Sequence, residues 1–277
     1  MGDFLGGIMD WIVYEVIDLS GTSAENIKIT QEQMNLVQPI WQYFILFGVC
    51  LTIVYFVIEL NKKWAFEGQS LSIKTVFIPF AKLTIAIILM ANAAKLFGVL
   101  ASFNNGFAEW SEGIATSFVY GGDEGNEVGA SIMKNLDFWA KIIIIFPIIM
   151  AFSVTLICNL VWVYKALLYK VELIVRVAFA PIALADIYSG LNANAIKYIK
   201  GTLSLILYGG CLIMLPKLCI MIGLGDFMQI WNNLAAGDVD AKGIFDIILA
   251  FVKIIVAPIA AIGLSSAAKN LLKEAVG

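Results

Sequence analysis

Long apolar runs are the feature that most constrains how this chain can fold. Five stretches of twenty or more residues carry at most two charged side chains each, at about 40–60, 75–97, 139–164, 199–224 and 244–264. A helix needs about 20 apolar residues to cross a hydrocarbon core about 30 Å thick. Each stretch therefore predicts a membrane-spanning helix. Together they predict an all-α, polytopic transmembrane bundle.

The composition argues against the other classes of protein. The 277 residues are 61% hydrophobic and 14% charged, whereas soluble domains carry about 25% charged residues. Disordered chains combine low hydrophobicity with high net charge, which this sequence lacks. A transmembrane barrel needs apolar and polar residues in alternation, and the four consecutive isoleucines at 142–145 break that pattern.

The sequence offers few of the residues from which catalytic and metal sites are built. It contains no histidine, and its four cysteines fall inside apolar runs, at Cys50, Cys158, Cys211 and Cys219. Zinc and haem sites use histidine or closely spaced cysteines. A phosphate-binding Gly-x-x-x-x-Gly-Lys sequence does not occur either. We therefore expect no catalytic residues, no metal and no cofactor, and the chain is predicted not to be an enzyme.

Basic residues predict the orientation of the chain in the membrane. Lys62 and Lys63 lie between the first two spans, further basic residues lie between 165 and 200, and two lysines follow the last span. The segment 104–137 is acidic instead. Cytoplasmic loops are enriched in Lys and Arg. We therefore expect the N-terminus and an outer loop at 104–137 on the outside, and the C-terminus in the cytoplasm.

A shorter apolar stretch at 171–187 is interrupted by Glu172, Arg176 and Pro181. Both of its flanks are basic, so a full crossing would leave one basic flank on the outside. We therefore predict five crossings, with residues 165–198 forming a re-entrant or interfacial helical element on the cytoplasmic side. An arrangement with six crossings is the alternative.

Residues 1–38 are predicted to form an extracytoplasmic amphipathic region that precedes the transmembrane domain at 39–277. Apolar residues recur at helical spacing between Phe4 and Leu19. This pattern predicts a helix that lies on the membrane surface or on a partner helix. Gly21 is predicted to end that helix.

Two sequence patterns mark possible helix starts before the first span. Thr22 with Glu25, and Thr30 with Gln33, have the spacing of a capping box. Pro39 is expected in the first turn of the first span, where its missing N–H costs nothing.

Three lysines are predicted to lie within spans, namely Lys82, Lys217 and Lys253, the last near the middle of its span. A charge at membrane depth is costly and usually faces a water-filled passage or a polar partner. These lysines are therefore candidates for lining a passage. The alternative is an ion pair inside the bundle, for Lys253 with Glu59 or with Asp246 of a neighbouring subunit.

Four prolines are candidates for helix kinks, because proline removes a backbone hydrogen bond inside a helix. They are Pro79, Pro147, Pro216 and Pro258. Such kinks serve either the geometry of the bundle alone or a cavity between broken helices.

The order of these features resembles one known family. The first span ends in Glu59-Leu-Asn-Lys-Lys63, a large outer loop precedes a long third helix, and a basic stretch leads into Arg176-Val-Ala-Phe-Ala-Pro181-Ile-Ala-Leu-Ala185. In this pattern the chain is similar to the TrbL-like polytopic inner-membrane subunit of type IV secretion (conjugation) systems. The similarity is greatest to short versions carried by mobile genetic elements of Gram-positive bacteria. Arg176 and Pro181 mark a candidate cytoplasmic-side motif.

This resemblance implies a structural membrane-channel subunit in the bacterial cytoplasmic membrane, contributing to DNA or protein passage without chemistry of its own. The implied partners are membrane lipids, other secretion-system subunits including a partner ATPase, and single-stranded DNA in transit. A homo-oligomer is also implied, for which we expect a pentamer. The alternative is a stand-alone small-solute transporter or ion channel. Such transporters usually show a clear internal repeat and intramembrane carboxylates, whereas these spans carry mostly lysines.

Overall fold

The computed structural model describes residues 2–28, 30–67, 73–115, 128–187, 194–224 and 241–276. Seven α-helices account for almost all of these residues, and no strand occurs among them. The helices are α1 (Gly2–Ile27), α2 (Gln31–Glu67), α3 (Ile73–Ala115), α4 (Val128–Asn135), α5 (Phe138–Leu184), α6 (Asn194–Leu224) and α7 (Ala241–Val276). One turn of 3₁₀-helix at 185–187 follows α5.

Five of these helices contain segments long and apolar enough to cross a membrane. The segments are Gln38–Phe66, Val76–Trp110, Phe138–Ile187, Asn194–Ile222 and Gly243–Val276. They lie in α2, α3, α5, α6 and α7, at the positions of the five predicted spans. The chain is therefore a multi-pass helical membrane protein. Its orientation across the membrane stays a prediction.

The longest helix joins two segments that the sequence predicts as separate. α5 is unbroken over 47 residues, so residues 165–184 continue the helix that contains the third predicted span instead of beginning a new element. One side of α5 is buried every three or four residues along its whole length, which favours a single continuous helix. The buried residues include Ala140, Ile144, Ile148, Ala151, Cys158, Trp162, Ala166, Tyr169, Leu173, Val177, Ala180 and Leu184.

The remainder of the predicted element at 165–198 lies partly outside the described residues. It comprises the 3₁₀ turn, residues 188–193 outside the described ranges, and the first turn of α6. The described residues of the predicted outer loop at 104–137 are largely helical. Residues 104–115 belong to α3, and α4 covers 128–135, while 116–127 lie outside the described residues.

The N-terminal helix does not end at Gly21 as predicted, because α1 continues to Ile27. One glycine inside a helix costs only about 1 kcal/mol relative to alanine, and the packing of α1 on α4 can offset such a cost. Thr22 therefore lies inside a helix and not at the start of one.

The second predicted capping box is confirmed. The Thr30 N–H donates to Gln33 Oε1 at 3.1 Å, and the Gln33 N–H donates to Thr30 Oγ1 at 3.4 Å. These reciprocal bonds satisfy two backbone donors at the start of α2. Since α2 begins at Gln31, Pro39 lies inside this helix and not in its first turn, contrary to the prediction.

The prolines expected to kink helices all lie inside helices that continue on both sides. Pro79 is in α3, Pro147 in α5, Pro216 in α6 and Pro258 in α7. Three of the four are buried and Pro147 is half-buried. Neighbouring helices therefore surround most of the positions where a backbone carbonyl loses its intrahelical partner.

The described helices form two compact units. The first unit contains residues 1–28, 105–167 and 209–268, and the second contains 29–104, 168–208 and 269–277.

In the first unit, α1 packs against α4 through a short backbone approach. Asp10, which is 9% exposed, accepts a hydrogen bond from the Gly129 N–H through Oδ1 at 2.9 Å. A Cβ at position 129 would lie 2.5 Å from the Gly6 carbonyl oxygen, so glycine is needed there. Burial raises the pKa of Asp10, and the backbone hydrogen bond opposes that rise.

In the second unit, one buried cluster joins α3, α5 and α6. Small and large side chains interdigitate in it, namely Ala86, Met90, Ala93, Phe97, Val177, Ala180, Leu184 and Ala195. α2 approaches this cluster closely at Gly48, where a Cβ would lie 2.6 Å from the Pro181 carbonyl oxygen. Small residues at helix contacts allow such approaches in membrane bundles.

Candidate functional site

Lys82, a predicted intramembrane charge on α3, is bound to a carboxylate. Its Nζ lies 3.2 Å from Glu59 Oε1 on α2, and the same oxygen lies 3.6 Å from Lys63 Nζ one helical turn away. These three residues form the Glu59 cluster. One carboxylate is shared by two cations, so the cluster carries a formal charge of +1. Lys82 therefore has a partner and also belongs to a site with excess positive charge.

A second cluster with the same balance of charges lies in the same unit. Glu172 Oε1 is 3.1 Å from Arg176 Nη2 on α5, and Glu172 Oε2 is 3.1 Å from Lys269 Nζ on α7. We name this group the Glu172 cluster. The Lys269 ammonium also lies 5.6 Å from the centre of the Tyr208 ring, within the range of a cation–π contact. Again, one carboxylate balances two cations.

The predicted motif around Arg176 and Pro181 lies where α2, α5 and α6 meet. The Tyr198 hydroxyl donates a hydrogen bond to the Arg176 carbonyl oxygen. A Cβ at Gly201 would lie 2.9 Å from Arg176 Nη1, so α6 leaves room for the guanidinium at that point. Two residues before Pro181, the ring of Phe179 lies 4.6 Å from that of Phe44, centre to centre. The motif therefore combines the charge of Arg176 with an aromatic contact to α2.

The first unit contains a third positively charged site, which consists of Lys165 on α5 and its polar partners. Its Nζ donates to the Ile262 carbonyl oxygen at 2.9 Å and to Ser266 Oγ at 3.1 Å, and it also donates to Ser265 Oγ. The partners on α7 are neutral. In the described part of the chain no carboxylate lies within ion-pair distance of this ammonium. The positive charge of Lys165 is solvated by dipoles and not cancelled.

The other two predicted lysines differ in burial. Lys217 on α6 is 1% exposed and belongs to the largest fully buried side chains; it takes part in polar interactions. Lys253 on α7 is half-buried, and no ion pair joins it to another described residue. Asp246, a suggested partner, lies seven residues earlier on the same helix. Glu59, the other suggested partner, belongs to the Glu59 cluster.

The excess positive charge of these groups can bind anions. Excess positive charge near apolar helices suits contact with phosphate, which lysine makes as a point charge. Among the residues that the structure describes, no group of three histidine, cysteine or acidic side chains could hold a metal ion. All four cysteines are free thiols.

Sequence reasoning missed Glu172, Lys165 and Lys269 as members of these groups. The spacing of Glu172 and Arg176, four residues apart on a helix, was a usable local signal. The contact between Glu172 and Lys269 joins residues 97 positions apart, and no local pattern marks it. A buried polar pair was missed as well: Asn104 Nδ2 donates to the Tyr169 hydroxyl at 2.5 Å.

No family model, no curated protein and no solved structure matches this chain.

Proposed function

We propose that this protein is a structural channel subunit of a type IV secretion or conjugative transfer machine in the bacterial cytoplasmic membrane. It contributes to the passage of DNA or protein and has no chemistry of its own. The sequence pattern around Arg176 and Pro181 supports the family assignment. One structural observation carries the role in transport, namely the excess of positive charge in the Glu59 and Glu172 clusters.

In each cluster a single carboxylate is shared by two cations. A carboxylate paired with one cation would neutralise it, whereas two cations leave one positive charge in excess. Holding such a partly exposed charge beside apolar helices costs free energy unless an anion or water compensates it. Phosphate groups of a nucleic acid in transit supply that compensation, by contacts that are independent of sequence and sensitive to salt.

The proposal includes assembly of several copies around a central passage, with a pentamer as the expected number. Within the single chain, only 11% of the most apolar stretch of α2 is buried, and only 22% of the most apolar stretch of α3. Such exposed apolar surface is covered by lipid or by neighbouring subunits. One chain with five spans offers little room for a DNA strand, whereas a ring offers a passage. Mass measurement of the detergent-solubilised complex tests this point, and a monomer with bound lipid would contradict it.

The proposed orientation places the N-terminus outside and the C-terminus in the cytoplasm, with energy supplied by a partner ATPase. Single cysteines introduced at Glu32 and at Glu274, in a variant lacking the four native cysteines, test it. Both positions are exposed. An impermeant maleimide should label position 32 and not position 274 in intact cells. The reverse pattern would contradict the orientation.

The decisive experiment for function is Lys253→Gln, because this lysine has no ion pair among the described residues that the change would break. Transfer of a mobilisable plasmid should fall at least tenfold, while the amount of membrane-inserted protein stays constant. Lys273→Gln, an exposed lysine at the end of the same helix, is the matched control and should transfer normally.

Two outcomes would overturn the proposal. Unchanged transfer by Lys253→Gln, and by a strain lacking the protein, would remove conjugation as its role. Selective flux of a small solute through liposomes containing only this protein would then identify it as a stand-alone transporter or ion channel. Loss of the variant protein, restored by Asp246→Asn, would instead show that Lys253 is structural.

A further inference from the structure

One face of α3 carries small and polar side chains on the side of the helix opposite to its buried residues. At about 100° per residue, six residues between positions 84 and 102 fall within an arc of about 80°. They are Thr84, Ile88, Ala91, Lys95, Gly98 and Ser102, which we name the α3 stripe. Ile88 is the one bulky apolar residue among them. The residues on the other side of α3 are Ala86, Met90, Ala93 and Phe97, which belong to the buried cluster of the second unit.

The α3 stripe has no covering within the single chain. Five of its six residues are exposed and Gly98 is half-buried. No heavy atom lies within 4 Å of a Cβ built on Gly98. Whatever lies against this face in the membrane is therefore lipid, water or another chain.

The distribution of charges indicates which part of α3 lies in the hydrocarbon. The three groups of the Glu59 cluster are in contact, and such a group belongs at the border of a bilayer because charges at membrane depth are costly. On α2, the 26 residues 33–58 that precede Glu59 carry no charge. On α3, the next acidic residue after the cluster is Glu109, which leaves the 26 residues 83–108 in between. Each stretch is about 39 Å long, enough to cross a core about 30 Å thick.

Lys95 is the one charged residue in the stretch 83–108, and it is the thirteenth of these 26 residues. It therefore lies near the middle of the crossing. The crossing predicted at 75–97 would place Lys95 near an end, but it would also bring the Glu59 cluster inside the bilayer. The contacts of Lys82 therefore favour the later position.

Two polar groups on this side of α3 are poorly suited to lipid. The hydroxyls of Thr84 and Ser102 donate to backbone carbonyls of α3 itself, at 3.1 and 2.6 Å, and need no other acceptor. Asn92, beside the stripe, also donates to the α3 backbone at 2.9 Å, which leaves its exposed carboxamide oxygen to be satisfied. Lys95 is exposed, and no ion pair joins it to another described residue. Hydrocarbon provides a partner for neither group.

A second copy of the chain is also a poor partner for Lys95. Packing a neighbouring helix on the stripe would bury this ammonium, which is costly without a counter-charge. The five apolar stretches contain only two carboxylates, Glu59 and Asp246, and each lies within three residues of the end of its stretch. A neighbouring subunit therefore offers no carboxylate near the middle of the membrane, whereas water solvates the ammonium at any depth that it reaches.

We propose that the α3 stripe lines the water-filled passage of the assembled protein, with Lys95 as a fixed positive charge near the middle of the membrane. This inference rests on the proposed function, because it assigns a wall to the passage. The small residues Ala91 and Gly98 keep that wall free of bulk on either side of Lys95. One ammonium from each copy gives a ring of positive charge, which contacts phosphates independently of sequence.

Contact of the stripe with water is tested by the reactivity of single cysteines. Ala91→Cys, Gly98→Cys and Leu96→Cys are each made in a variant lacking the four native cysteines, and the complete machine is kept in permeabilised donor cells. Positions 96 and 98 differ in depth by only about 3 Å and point about 160° apart. Leu96 is 48% exposed in the single chain, so burial within the chain does not distinguish the two. A charged methanethiosulfonate should modify positions 91 and 98 at least ten times faster than position 96.

Equal rates at the three positions would overturn the inference. So would efficient disulfide formation between the Gly98→Cys residues of two copies, because that result would identify the stripe as a subunit interface. Neither measurement depends on transfer. The reactivity pattern can therefore fail while transfer still requires the protein, which would leave the proposed function standing.

The charge of Lys95 is tested separately by plasmid transfer. Lys95→Gln should lower transfer at least fivefold, and Lys95→Arg, which keeps the charge, should transfer normally. Both variants should accumulate in the membrane at the normal level, because no ion pair to a described residue is broken. Normal transfer by Lys95→Gln would overturn the role of this charge. Normal transfer by a strain lacking the protein would instead overturn the proposed function, whatever the reactivity pattern of α3.

Discussion

Gly48→Ala tests the close approach of α2 to α5, where the structure leaves no room for a single methyl group. A Cβ at position 48 would lie 2.6 Å from the Pro181 carbonyl oxygen, 2.9 Å from the Pro181 carbonyl carbon and 3.1 Å from Met90 Sδ. Ordinary contacts begin at 3.4 Å. The two helices must therefore separate by several tenths of an ångström, because the two nearest obstructing atoms belong to the backbone of Pro181.

The magnitude follows from two opposing effects. Adding a methylene-sized group to a filled core costs about 1–3 kcal/mol, and replacing glycine by alanine inside a helix regains about 0.5–1 kcal/mol. The net expectation is a loss of up to about 2.5 kcal/mol in the free energy of unfolding, with a central value of about 1 kcal/mol. At about 2–4 °C per kcal/mol, the apparent Tm in detergent should fall by roughly 2–4 °C for the central value and by up to roughly 10 °C.

Gly98→Ala is the matched control, because it makes the same substitution in α3 of the same unit. No heavy atom lies within 4 Å of a Cβ at position 98. Its apparent Tm, followed by tryptophan fluorescence on heating, should stay constant or rise slightly. If Gly48→Ala and Gly98→Ala shift the Tm equally, the packing of α2 against Pro181 is looser than the structure shows, and the reasoning is refuted.

Two further predictions concern charged groups. Glu172→Gln leaves the two cations of the Glu172 cluster without a counter-charge. Because the three side chains are 27–39% exposed, the free energy of unfolding should fall by about 1–3 kcal/mol, between the values typical of surface and of buried pairs. Adding Lys269→Gln should restore part of the lost Tm, and an unchanged Tm in Glu172→Gln would refute the role of the cluster. The raised pKa of Asp10 means that the folded state favours the neutral carboxyl, so this residue stabilises the fold at acid pH and the effect is lost as pH rises through its folded-state pKa. Asp10→Asn keeps an oxygen acceptor for the Gly129 N–H, and should raise the Tm near pH 8 and flatten its dependence on pH between 4 and 8; an unaltered pH profile would contradict this.

The sequence predicts the parts of the fold that local patterns encode. The five spans follow from runs of apolar residues. The start of α2 follows from Thr30 and Gln33, which lie three positions apart, so that each side chain can accept a hydrogen bond from the backbone N–H of the other. The end of α1 was predicted wrongly because the cost of Gly21 was weighed without the packing of α1 on α4.

The candidate site was predictable only in part. Lys82, Lys217 and Lys253 stand out as charges in apolar runs, but their surroundings depend on residues far away in the sequence. The pairing of Glu172 with Lys269 and the approach of Gly48 to Pro181 arise from the packing of separate helices. Such contacts leave no periodic signal in a single sequence.

The unbroken course of α5 also makes the protein sensitive to the length of this helix. An α-helix turns by about 100° per residue, so one alanine inserted after Leu160 would rotate every later side chain by that angle. Glu172, Arg176 and the buried residues up to Leu184 would then point away from their present partners, although the composition would hardly change. Four inserted residues would rotate the same segment by only about 40° beyond a full turn. Relatives of this chain can therefore be expected to vary the length of α5 in whole turns.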